Sequence, residues 1–116
     1  MNLNTTNDLL QSVERMIQVQ PELGSLQNDW LISAADYAQK RMEWWATRRQ
    51  EGCVPPELDV ARSRAHDAFI ANCVALARNM RKAGFDAEWY DDLHNDRRSI
   101  GDLACWIHLA LTLAVR

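Results

Sequence analysis

Hydrophobic residues recur along this chain with a helical rather than a strand period. Leu9, Leu10, Val13, Met16 and Ile17 fall at spacings of three and four, which predicts an amphipathic helix from about Asn7 to Gln20. Thr5, Thr6 and Asn7 offer caps before it, and Pro21 stops it. After "PELGS" a second helix runs from about Ser25 or Asn28 to Gln50 and ends at Gly52. Its apolar arc of Leu31, Ala34, Ala35, Ala38, Met42 and Trp45 adjoins an aromatic line of Trp30, Tyr37 and Trp44, a wide face for burial. "GCVPP" is the clearest break, because Pro55 and Pro56 both turn the preceding residue away from helix.

A third helix spans about Glu57 to Ala83, with Pro56 suited to its first position and Gly84 to its stop. At 100° per residue Leu58, Ala65, Phe69, Cys73, Leu76, Met80 and Ala83 share one stripe. Arg62 falls inside that stripe and His66 on its flank. A short turn from about Ala87 to Leu93 follows Asp86, and the last helix begins near Asn95 or Ser99. There "SIGD" offers a capping box, with Ser99 as cap and Asp102 reaching back. Only Gly101, Cys105, His108 and Thr112 interrupt its apolar surface, the pattern of a central bundle helix or an oligomer interface. From Leu103 to Val115 it reaches roughly 20 Å, short of the roughly 30 Å of a hydrocarbon core, so a membrane span fails on length. The whole pattern predicts an all-α fold: a compact, mostly antiparallel bundle of four main helices plus a short helical turn. Residues 1–116 form one domain, with the last helix as its dry hub.

Composition narrows the picture. Of 116 residues, 47% are apolar and 25% charged, which excludes a disordered chain and allows one core. A net charge of −3 argues against a dedicated nucleic-acid binder. "MNLNTTNDLLQSVERM" lacks the basic and apolar regions of a secretory leader. Cys53, Cys73 and Cys105 form no CxxC pair, and an odd, scattered set points to reduced thiols in the cytoplasm. Cys73 and Cys105 read as small core fillers.

Three stretches carry candidate chemistry. In "ARSRAHDAFI" the pair His66–Asp67 resembles the metal-binding dyad of HD phosphohydrolases, which implies a further histidine upstream and an aspartate downstream. No histidine precedes His66, and Asp67 points about 100° away on a helix, towards solvent. A metal-dependent phosphohydrolase using His66, Asp67, His94 and Asp96 is therefore an alternative, and the leading reading carries no metal or cofactor. "WYDDLHNDRRSIGD" gathers Asp91, Asp92, His94, Asp96 and Asp102 without the glycine and glutamate of a calcium loop. Acidic groups at helix starts account for it. A guanidinium on an inward stripe needs a partner, and Asp96 and Asp102 are the nearest by pattern. Arg62, His66, Asp96, Arg97 and Asp102 are thus expected to form one polar network, as a clamp or a pocket.

The pairing of "RSRAHDAFI" with "DRRSIGDLA" resembles small uncharacterised helical proteins of bacteria and their phages. The likeness covers roughly the second half of the chain. It implies only that Arg62, His66, Asp96, Ile100, Gly101 and Asp102 belong to one unit.

In "WLISAADYAQKRMEWWATRRQ" residues Trp30, Tyr37, Arg41, Trp44 and Arg48 share one face. Aromatics in the core with arginine stems along its rim explain that face most simply. A protein-interaction surface comes next and a nucleic-acid surface third. The leading function is a non-enzymatic protein-interaction module, such as a small regulator, immunity or antidefence factor. Its protein partner is not specified by any motif, and the apolar last helix suits a homodimer.

Overall fold

Four long helices and one short one make up the computed structural model, which describes residues 2–93 and 96–114. They are α1 (Leu3–Val19), α2 (Gly24–Glu51), α3 (Pro56–Lys82), α4 (Glu88–Asp91) and α5 (Arg97–Ala114), with a 3-10 turn at Pro21–Leu23. Among the described residues there is no strand, and the fold is the all-α, mostly antiparallel bundle that the pattern predicts.

α1 starts earlier than its apolar stripe suggests, because Asn2 closes a capping box ahead of it. Asn2 Oδ1 accepts the Thr5 N–H at 3.0 Å, and Thr5 Oγ1 accepts the Asn2 N–H at 2.9 Å. Thr6, expected among the caps, is instead fully buried, and its hydroxyl donates to the Asn2 carbonyl at 2.7 Å. The other boundaries follow the punctuation residues. Gly52 ends α2 in the left-handed region at φ 76°, its N–H donating to the Arg48 carbonyl. Pro56 opens α3, and Gly84, at φ 83°, lets the chain turn so that the Phe85 N–H reaches the Met80 carbonyl.

α2 is the spine. At 28 residues it is about 42 Å long, close to the 48 Å longest dimension of the molecule. α3 runs antiparallel along it. Contacts descend one helix as they ascend the other: Trp44 Nε1 donates to Asp59, Tyr37 packs edge-on to His66, and Asn72 Nδ2 donates to the Asp29 carbonyl and Ser33 Oγ. α1 folds back on the start of α2, where Gln27 donates to Glu14 at 2.9 Å. α5 lies on α2 and α1 and touches α3 only slightly.

The core therefore centres on α2, which corrects the expectation that α5 is the hub. Trp30, Ala34 and Ala38 of α2 are wholly buried with Val13, Met16, Phe69, Leu76, Met80, Leu103, Ala104 and Ile107. Trp30 meets Trp89 of α4 at 6.1 Å. α5 buries one stripe, Gly101, Leu103, Ala104, Ile107 and Ala110, and leaves Leu109 and Leu113 exposed on the other side. Periodicity could not reveal this, since an all-apolar helix looks the same whichever side is covered. Met42 and Trp45, placed on the apolar arc of α2, are also about half exposed; neither neighbouring helix covers that side. Among the described residues, no helix is long and apolar enough to cross a membrane.

Candidate functional site

Asp102 does meet an arginine, but not the expected one. Arg41 of α2, not Arg62, meets the start of α5: its Nη2 lies 3.1 Å from Asp102 Oδ1, and its Nη1 donates to Cys105 Sγ at 3.5 Å. Burial works against the charge of Arg41, but the contacts with Cys105 and Asp102 outweigh it and hold its pKa above the ordinary value. The guanidinium fits because residue 101 is glycine. A Cβ there would stand 2.6 Å from Arg41 Nε and 2.7 Å from Cζ, so the missing side chain is the seat of the arginine.

Arg62 finds its anion on its own helix. Its Nη2 donates to Asp59 Oδ1 at 3.1 Å, one turn back, and its guanidinium lies over the Trp44 ring, 4.5 Å from the centroid. Trp44 Nε1 donates to the same carboxylate oxygen at 2.9 Å. These bonds, from Trp44 first and Arg62 second, hold the Asp59 carboxyl below its usual range. The expected pairing of Arg62 with Asp96 or Asp102 fails because α2 stands between most of α3 and α5. Asp96 instead serves its own helix. It accepts from Ser99 Oγ and from the Arg98 N–H, both at 2.9 Å, which lowers its pKa. So Asp96, rather than Ser99, caps α5, and Asp102 does not reach back.

Three of the five network residues, Arg62, His66 and Arg97, do line one cleft of about 310 Å³ between α2, α3 and the start of α5. Tyr37, Arg41, Trp45, Ser63, Asp67 and Arg98 complete its lining. The His66 ring packs edge-on against Tyr37 with centroids 5.3 Å apart, and its Nδ1 lies 3.2 Å from Asp67 Oδ1. His66 Nε2 and Arg62 Nε are buried and have no hydrogen-bond partner among the described residues. Burial pushes the Tyr37 phenol above its ordinary value, while the charges of Arg41, Arg62 and Arg97 pull it down. The phenol thus senses three of the four guanidiniums. Trp45, Ser63 and Arg98 are the cleft residues that sequence reasoning missed. Two arginines opening a helix, against the sense of its dipole, were the available signal.

The face drawn through α2 divides in the same way. Trp30 and Tyr37 are buried, Arg41 is engaged with α5, and Trp44 is bound to Asp59. Only Arg48 remains fully open, its guanidinium 5.6 Å from the Trp44 centroid. Trp30 and Tyr37 therefore do not belong to any surface face. The physical reason is that α3 covers this side of α2 along most of its length.

Among the described residues the metal set does not come together. Asp67 is largely exposed, Asp96 is occupied in capping, and His94 lies outside the described residues. Among the described residues, no group of three or more histidines, cysteines or acids is arranged to hold a metal ion. Of the remaining acids, Asp91 pairs with Arg81 at 2.7 Å, and Asp92 lines a separate cleft with Asp86, Glu88 and Asp102. No protein-family model, curated protein or solved structure matches the chain.

Proposed function

We propose that this chain is a non-enzymatic protein-interaction module, of the small regulator, immunity or antidefence kind, that docks its partner on the outer side of α2 between Met42 and Arg49. One observation carries the reading. Trp45 and Met42, three residues apart, stand 46% and 51% exposed. Trp44 braces Trp45 edge-on at 5.0 Å, and Arg48 and Arg49 flank the pair. Exposed tryptophan beside arginine is the chemistry that dominates protein interfaces. The flanking cations select an acidic rim on the partner.

The test is co-purification with tagged chain, comparing wild type with Trp45→Ala and Arg48→Glu. Both variants are expected to lose the bound protein and to keep the wild-type circular dichroism melt. Retention of the same protein by both variants would sink the reading. A second copy of the chain is the other occupant with support, across the outer face of α5, where Leu109 and Leu113 are 41% and 42% exposed. Sedimentation at rising concentration is expected to show a dimer that Leu113→Glu abolishes.

A further inference from the structure

Four arginines line the cleft between α2, α3 and α5, and Asp67 is the only carboxylate lining it among the described residues. Arg41 and Arg62 are partly neutralised by Asp102 and Asp59. Arg97 and Arg98 pair with no carboxylate among the described residues. Both stand in the first turn of α5, where the helix dipole already concentrates positive charge. A sequence selected only for stability would avoid two cations there; the capping carboxylate of Asp96 offsets one charge against two, and a local rule broken with so little compensation marks a functional position. Arg62 Nε and His66 Nε2 are buried behind the cleft wall without a hydrogen-bond partner among the described residues.

The guest's chemistry follows from the lining. Several guanidiniums around one point suit a tetrahedral anion with three terminal oxygens better than a planar carboxylate with two. Trp45 borders the cleft and is 46% exposed, which favours a flat heteroaromatic group as the rest of the guest. The volume of about 310 Å³ sits at the lower end for small-molecule sites, enough for one compact ligand. We propose that the cleft binds a phosphate monoester carried on a heteroaromatic group, the chemistry of a nucleoside monophosphate. The phosphate lies among Arg62, His66, Arg97 and Arg98, and the ring rests on Trp45. This goes beyond the protein-docking reading and stands or falls without any partner protein.

Isothermal titration calorimetry of the whole chain at low salt tests it, with AMP, adenosine, inorganic phosphate and a short single-stranded oligonucleotide as probes. AMP is expected to bind more tightly than adenosine or phosphate. Replacing Arg97 and Arg98 together by alanine lowers AMP affinity by about tenfold or more without lowering the melt, since both side chains are exposed and oppose the helix dipole. Trp45→Ala weakens AMP but not inorganic phosphate. AMP binding no tighter than adenosine or phosphate, or binding indifferent to the arginine pair, overturns the proposal. An oligonucleotide bound more than about a hundredfold tighter than AMP, with steep salt dependence, also overturns it, because the cleft would then be part of a nucleic-acid track.

Discussion

Single side chains in this protein are set by what lies within one turn or across one helix, and the thiols show it most directly. Cys73 sits in the core at 4% exposure, and burial pushes its pKa from 9.0 to about 12. In the unfolded chain the same thiol ionises near its ordinary value. Between those two values the unfolded state has given up a proton that the folded state keeps, so stability falls as pH rises. The melting temperature is expected to drop from about pH 9 upward, and Cys73→Ala to flatten that decline; a scan of melting temperature against pH compares the two. Cys73 as a core filler was legible from its place on the α3 stripe. Gly101 was not. A glycine near the start of a helix signals some packing reason, but only the structure shows that the reason is the Arg41 guanidinium lying where a Cβ would be.

At the scale of elements, the helices could be read from proline, glycine and apolar spacing, but their neighbours could not. Pro21, Gly52, Pro56 and Gly84 placed the breaks within a residue or two. The start of α1 lies earlier than expected because Asn2 and Thr5 form a cap well ahead of the apolar stripe that begins at Leu9. The centrality of α5 was misjudged for a deeper reason. Hydrophobicity measures what burial would gain, not whether another helix arrives to provide it. The candidate site suffered likewise: Arg62 was correctly placed on an inner stripe, yet its partner lay at i−3 on the same helix rather than on α5. If α2 and α3 form the true core, Phe69→Ala should cost about 3–5 kcal/mol. Leu113→Ala, on the exposed side of α5, should stay within about 0.5 kcal/mol. Urea titrations of both variants measure the difference, and comparable losses would restore α5 to the centre.

For the molecule as a whole, the layout makes the antiparallel α2–α3 pair the most secure body, with α1 and α5 laid against it. Hydrogen exchange is expected to follow that order. Amides of α2 and α3 around Trp30, Phe69 and Leu76 should be protected to the global unfolding energy, and those of α5 should exchange earlier through partial opening. Uniform protection along all four long helices would contradict this. The order bears on the cleft, because Arg97 and Arg98 ride on α5 while its histidine and remaining arginines belong to α2 and α3. The binding surface is complete only while α5 is docked. Any guest held by both parts must therefore act as a clasp: it draws α5 onto the spine, and every detachment of that helix releases it.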